Sequence, residues 1–322
     1  MRMMQSPNAS GSAEAKLVVA DGGSAAPLYT SFDGATWPNT TFGVSNKQFW
    51  LLARSPDGKW LASNNVDASQ VFTSNDGKTW AFRSTGIGSS YYMVCMAAAP
   101  GGKFMAGLSY TGPVSAGLVF SSDGGVTWSS TSGYPSGATR CTAIAYGGND
   151  AGQSFWLMGD DGGRLFRSFD DGATWSASSL VDIGPAVTAL KYGDTPAGFW
   201  IGGTTGTGIR KGPASASGTW TTPTISLSVG TTAIAYSPTL NLWILVAGTQ
   251  VFVTTGGDTW TSIRATANPT VAPLRGATWV PSMGAFVLVG DGPVIRTSTD
   301  GFAWSSITAP GGATNLIAVC GS

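Results

Sequence analysis

The chain has 322 residues, 42% of them apolar and only 11% charged, well under the ~25% charged that is usual for a soluble domain. Its 17 basic and 17 acidic residues cancel and no run of Lys and Arg occurs, which excludes an electrostatic footprint for nucleic acid or an anionic membrane. The absence of any histidine removes Ser-His-Asp and Cys-His catalysis and the commonest metal ligand.

Residues 1–15, MRMMQSPNASGSAEA, are rich in Ser and Ala and are expected to form an arm that orders only against a neighbour. They lack the apolar core of a secretion signal, and no run in the chain approaches membrane-spanning length. The expectation is synthesis in a cytoplasm and no membrane insertion.

From residue 16 onward one pattern recurs. A first unit has short apolar runs at KLVVADG (16–22) and PLYTS (27–31), then the turn SFDGATW (31–37). Later turns are SNDGKTW (74–80), SSDGGVTW (121–128), SFDDGATW (168–175), ASASGTW (214–220), TTGGDTW (254–260) and STDGFAW (298–304). Their tryptophans, Trp37, Trp80, Trp128, Trp175, Trp220, Trp260 and Trp304, are spaced 43, 48, 47, 45, 40 and 44 apart, and a four-stranded propeller blade needs about 40–50 residues. Ahead of each turn lie a first apolar strand (TAIAYGG, VTALKYG, TTAIAYS), an aromatic-bearing second (KWLAS, FWLMG, LWILV) and a third (VFTS, LFRS, VFVT), with glycine at the breaks. The first unit has no first strand, and NLIAVCGS (315–322) at the far end reads as one. The expected fold is all-β: a single seven-bladed β-propeller over 16–322 with four-stranded antiparallel blades, closed by the C-terminal strand joining blade 1.

The turns have a local logic. Asp33, Asp76, Asp123, Asp170 and Asp300 are placed to accept backbone N–H groups within the turn, and the glycine that follows supplies a positive φ. Trp37, Trp80, Trp128, Trp175, Trp260 and Trp304 are expected to wedge between neighbouring sheets. All thirteen tryptophans fall on repeat positions, which leaves none as a ligand platform on this reading. Three cysteines, Cys95, Cys141 and Cys320, without paired spacing read as small buried hydrophobes, so neither a disulfide framework, a metal site nor a cofactor is expected.

The pattern S-x-D-x-G-x-T-W, met in full at Ser121–Trp128 and Ser168–Trp175, resembles the Asp-box or BNR repeat. The copies at 31–37, 74–80 and 298–304 are one residue shorter, and those at 214–220 and 254–260 lack the aspartate. The resemblance covers nearly all of 16–322. Its members range from sialidases and xyloglucanases to the sortilin ectodomain, a photosystem assembly factor and propellers of bacterial surfaces and phage tails, so it implies a fold and not a chemistry.

A sialidase would require a Tyr–Glu pair in the central cleft. The one glutamate, Glu14, precedes every blade. Two aspartates about 5–9.5 Å apart could hydrolyse a glycoside, and the adjacent Asp160 and Asp161 are the pair to consider, although Asp-Asp-Gly-Gly is also ordinary turn sequence. The glycine-rich GGTTGTG (202–208) lacks the Lys-Ser/Thr of a phosphate loop.

Strand direction puts first-to-second-strand turns and Asp turns on one face, and second-to-third-strand turns and inter-blade linkers on the other. The linker face is expected to carry recognition. There Tyr92, Tyr110 and Tyr134 of blade 3, with Arg140 at the start of blade 4, form a candidate binding patch for a partner protein or glycan. Tyr29, Tyr146, Tyr192 and Tyr236 sit on repeated strand positions. The combined reading is a non-enzymatic structural or binding propeller of a virion or other extracellular surface assembly, in a tail, fibre or capsid decoration. Its partners are other subunits of that assembly or a host surface. A soluble lectin-like propeller binding cell-surface glycans is the alternative, and a glycoside hydrolase using paired aspartates a further one.

Overall fold

The structure, a computed structural model, describes residues 14–23, 28–38, 48–64, 67–110, 117–194, 198–263 and 272–322. Residues 1–13 of the expected arm lie outside them, as do the side chains of Tyr110 and of residues 177–182.

Seven antiparallel sheets form a ring, a seven-bladed β-propeller. Blade 4 shows the plan: Cys141–Asp150 innermost, then Gln153–Asp160, Arg164–Ser168 and, at the rim, Ser176–Asp182. Five sheets show four strands. Among the described residues blade 1 shows three, and in blade 5 the place of the fourth is held by a bridge between Lys211 and Thr221. The innermost strands, Leu316–Gly321, Phe49–Arg54, Tyr91–Ala99, Cys141–Asp150, Val187–Gly193, Ala233–Ser237 and Leu274–Val280, each touch the next, and the last returns to the first. Closure is as expected from the sequence. Leu316–Gly321 pairs with Leu17–Asp21 from Leu17↔Gly321 to Ala20↔Ala318, so both ends of the chain build blade 1.

Burial follows position in the blade. Second strands such as Phe199–Thr204, Leu242–Ala247 and Ala285–Gly290 are buried at every residue, because neighbouring blades cover both of their faces. They therefore read as unbroken apolar runs and not as alternation. Trp60, Trp156, Trp200 and Trp243 on these strands are fully buried, each contributing about 4–6 kcal/mol of apolar burial. The rim strand Ser129–Ser130 is exposed. Blades also need close approach. A Cβ on Gly159 would lie 2.6 Å from the Cβ of Val187 in the next blade, and one on Gly203 2.5 Å from the Cβ of Thr231.

The Asp turns lock each blade to itself. In blade 2, Ser74 Oγ accepts the Gly77 N–H at 2.8 Å, while Asp76 Oδ1 accepts the N–H groups of Lys78 (2.8 Å) and Thr79 (2.7 Å). Ser31 and Asp33 repeat this in blade 1, and Ser298 and Asp300 in blade 7. The eight-residue turns of blades 3 and 4 fit their extra residue in the left-handed region, Gly124 at φ 79° and Asp171 at φ 56°. There Asp123 and Asp170 accept the hydroxyls of Thr127 and Thr174, both at 2.6 Å.

These hydrogen bonds stabilise the charged carboxylates. The Thr36 hydroxyl and N–H hold Asp33 below the usual range, Thr174 does so for Asp170, and the Ala303 and Phe302 N–H groups for Asp300. Asp76 and Asp123 are also low, because hydrogen bonds from Thr79 and Thr127 outweigh the opposing effect of partial burial. In blade 6, without the acid, Thr254 Oγ1 accepts Gly257 N–H at 3.0 Å. The chain leaving blade 5 braces that turn, with Thr224 N–H donating to Asp258 O (2.7 Å) and Trp260 N–H to Thr224 O (3.0 Å).

Each turn tryptophan packs in the cluster between its own blade and the preceding one. Trp80, Trp128, Trp175, Trp260 and Trp304 donate Nε1–H to the carbonyl of their own turn glycine. Trp37 donates instead to Thr308 O of blade 7, at 2.8 Å.

Candidate functional site

A funnel of about 460 Å³ opens at the centre of the ring. Its lining comes from the C-terminal ends of innermost strands, which lead into the first-to-second-strand turns, so it opens on the Asp-turn face and not on the linker face. Its rim is one column of the repeat: the residue paired with the large apolar residue of the second strand. That column reads Arg54, Ala98, Tyr146, Tyr192, Tyr236, Trp279 and Gly321 from blade 2 round to blade 1.

In four successive blades the rim ring leans on its second-strand partner. Centroids lie 5.1 Å apart for Tyr146–Trp156, 5.2 Å for Tyr192–Trp200, 4.7 Å for Tyr236–Trp243 and 4.9 Å for Trp279–Phe286. Arg54 stacks its guanidinium over Trp60 at 5.4 Å. The funnel is thus lopsided, with a rigid aromatic arc on blades 4 to 7 and small residues on blades 3 and 1.

The column one residue earlier is Ala53, Ala97, Ala145, Lys191, Ala235, Thr278 and Cys320. Lys191 is the exception in a column of small residues. Its side chain is exposed to the water of the funnel, and among the described residues no ion pair or hydrogen bond reaches its ammonium. The surrounding protein walls hold its pKa below the usual lysine value, opposed by the charges of Cys320 and Asp194. Burial pushes the Cys320 thiol up to about 11, an effect that Arg54 and Lys191 reduce. Arg54, by contrast, is neutralised by Glu14 at 2.6 Å. The arrangement offers flat aromatic faces and a cation, Lys191, uncommitted among the described residues, suited to an apolar or ring-bearing group carrying an acceptor or negative charge.

In the sequence Tyr146, Tyr192 and Tyr236 read as repeated strand positions, with no tryptophan left as a ligand platform. In the structure these tyrosines and Trp279 wall the funnel. The available signal was the variation within one column, Arg-Ala-Tyr-Tyr-Tyr-Trp-Gly, and the single lysine in the next.

On the linker face, Tyr134 lines a groove of about 400 Å³ with Tyr91 and Trp128. Its hydroxyl donates to Thr139 O, and burial, with Cys141 nearby, holds the phenol above its ordinary range. Tyr92 stands opposite Ser109 on its strand and does not line the groove, and Tyr110 pairs with Tyr91 through the backbone. Arg140 lies 3.5 Å from Asp161. The structure therefore brings together Tyr134 and Tyr91, while Arg140 is committed to an ion pair. Asp160 is fully buried and accepts the N–H groups of Thr139 and Arg164 and the Arg164 Nε–H, so this pair of aspartates is spent on holding the linker.

Fold and funnel together define a seven-bladed propeller with its blades arranged around an asymmetric central mouth. Solved structures share the fold. YCF48 bound to a D1 peptide superposes with a TM-score of 0.61 at 16% identity over 81% of each chain. YCF48 from Cyanidioschyzon merolae does so at 0.61 and 13%, covering 88% of this chain and 90% of that one. A chain of the nidogen/laminin complex gives 0.56 at 8%, covering 84% and 97%. No protein-family model and no curated protein sequence matches the chain.

Proposed function

We propose that this chain is a non-enzymatic, protein-binding propeller of the Asp-box (BNR) kind that receives a segment of a partner protein in the funnel on its Asp-turn face. The observation that carries the reading is the rim column. Four rigid rings converge on one cavity with Lys191, which stands in a column of otherwise small residues and meets no ion pair or hydrogen bond among the described residues. Two of the similar propellers, one with a D1 peptide and one in a laminin complex, are structures of complexes, which supports the same use here. The setting we favour is a subunit of a virion or other extracellular surface assembly, where zero net charge is tolerable because the protein is not free at high concentration.

A photo-crosslinking amino acid in place of Tyr192, followed by sedimentation of the native material, tests both parts. Crosslinks to a protein segment, in a particle far larger than the 32.9 kDa chain, are expected. A chain that sediments alone and crosslinks to no protein overturns the reading. The lectin alternative rests on the same aromatic arc, since pyranose faces stack on such rings, and a glycan array that retains the protein through Tyr192 and Tyr236 would favour it.

A further inference from the structure

Three blade junctions share a packing rule at the start of the incoming innermost strand. A residue of the incoming blade fills the space above a glycine on the second strand of the blade before it. Val187 does so at Gly159, Thr231 at Gly203 and Cys141 at Gly107. The residue paired with that glycine on its own innermost strand is Ala143 at Gly159, Ala189 at Gly203 and Cys95 at Gly107. At two junctions the position therefore holds alanine. At the junction of blades 3 and 4 both positions are cysteine.

The consequence is a pair of thiols with Sγ atoms 3.2 Å apart, though 46 residues separate them in sequence. A Cβ on Gly107 would lie 2.7 Å from Cys95 Sγ and 2.9 Å from Cys141 Sγ, so the glycine is what leaves room for two sulfurs. A disulfide requires an approach to about 2.05 Å, roughly an ångström of motion shared between two side chains.

We propose that Cys95 and Cys141 are a disulfide-forming pair that covalently clasps blade 3 to blade 4 when the protein meets a small-molecule disulfide oxidant. In the first step a Cys95 thiolate attacks one sulfur of oxidised glutathione. A mixed disulfide forms and one glutathione thiol leaves. In the second, the Cys141 thiolate attacks Cys95 Sγ and releases the other. Two thiols are oxidised, one glutathione disulfide is reduced to two thiols, and the two protons from the cysteines end on the departing glutathiones. Cys141 is fully buried and Cys95 nearly so, and burial followed by the neighbouring Cys95 holds the Cys141 thiol well above its ordinary range. Exchange is therefore slow, proceeding through brief openings of the junction, and the closed bond is equally shielded from reductants. The clasp suits a protein made under reducing conditions that later meets an oxidising medium, and it does not depend on which partner the funnel takes.

The test starts from reduced native protein held with oxidised glutathione, then denatured and alkylated. Of the three free cysteines only Cys320 is expected to take the label, with the intact mass lower by two hydrogens and one linked peptide pair containing Cys95 and Cys141. Cys320→Ser should behave the same way, whereas Cys141→Ser should never lose the two hydrogens. Closing a loop of this length should also raise the melting temperature of the oxidised protein by several degrees over the reduced form, a difference that Cys141→Ser removes. Three alkylated cysteines after oxidation, or a linkage that uses Cys320 or joins two chains, would overturn the proposal.

Discussion

Asp21 holds Thr314 from the other end of the chain. Its fully buried carboxylate accepts the Thr314 N–H at 2.7 Å and hydroxyl at 3.0 Å, and also the N–H groups of Asn315 (3.1 Å) and Gly23 (2.9 Å). Asp160 makes the corresponding contact in blade 4, accepting Thr139 N–H where the linker enters its innermost strand. In blade 1 the same device fastens two segments that only the closed ring brings together.

Asp21→Ala should therefore leave four part-buried donors, the N–H groups of Gly23, Thr314 and Asn315 and the Thr314 hydroxyl, without their shared acceptor, at a cost of about 1–3 kcal/mol. The loss would be read as a lower urea midpoint with an unchanged slope. Removal of residues 315–322, which deletes the innermost strand of blade 1, should lower the melting temperature of the whole ring as one cooperative transition. A truncated protein that melts where the full chain does would show that the ring does not depend on this strand.

Blade spacing can be probed at one atom. In Gly203→Ala the new Cβ falls 2.5 Å from the Cβ of Thr231, a branched carbon with no room to swing aside, so the two blades must move apart. Overpacking of this kind costs about 1–3 kcal/mol. Gly311→Ala, where nothing lies within 4 Å, is the matched control and should stay within about 0.5 kcal/mol of the parent. Equal urea midpoints for the two variants would mean that the close approach at Gly203 is not a constraint.

What the sequence discloses, and what it hides, divides along physical lines. Blade number and closure depend on local chemistry repeated in phase, Gly- and Trp-bearing turns and a missing first strand, and both can be read in the amino-acid sequence. The funnel is hidden because Tyr146, Tyr192 and Tyr236 do two jobs. Each braces a buried tryptophan, which accounts for its repetition, and each also faces the mouth. The proximity of Cys95 and Cys141 is hidden more deeply, since it depends on an irregularity in strand pairing between Met93 and Cys95 and another between Cys141 and Ala143. No spacing rule reveals which residues two such bulges bring together.

Acid should unfold the protein through its turns. Asp33, Asp170 and Asp300 titrate below the usual carboxylate range when folded, because threonine hydroxyls and turn N–H groups favour the charged form. A depressed folded value means stability that is fully present above the unfolded pKa, about 3.9, and lost as pH falls through the folded values beneath it. With no histidine in the chain, the urea midpoint should be nearly flat from about pH 5 to 8 and fall steeply below 4. Asp170→Asn, which keeps one acceptor oxygen but no charge, should flatten the acid limb. An acid limb as steep as the parent's would place the sensitivity outside this turn.

Lys191 separates binding from folding. Its ammonium has no described partner, and protein walls hold its pKa below the ordinary lysine value. With the folded value lowered, the charged form is carried at some cost at neutral pH, and that cost disappears as pH rises through the folded value toward the unfolded one. Lys191→Ala should therefore melt no lower than the parent. If an acceptor on the partner meets this ammonium in the funnel, the variant should bind about ten- to a hundredfold more weakly, the loss expected for a hydrogen bond to a charged group. Tyr92→Ala, on the opposite face, should bind normally. Calorimetric titration of both variants against the crosslinked partner segment decides between the faces. Loss of affinity in Tyr92→Ala with none in Lys191→Ala would move the recognition surface to blade 3, with Tyr134 and its groove, and leave the funnel as packing.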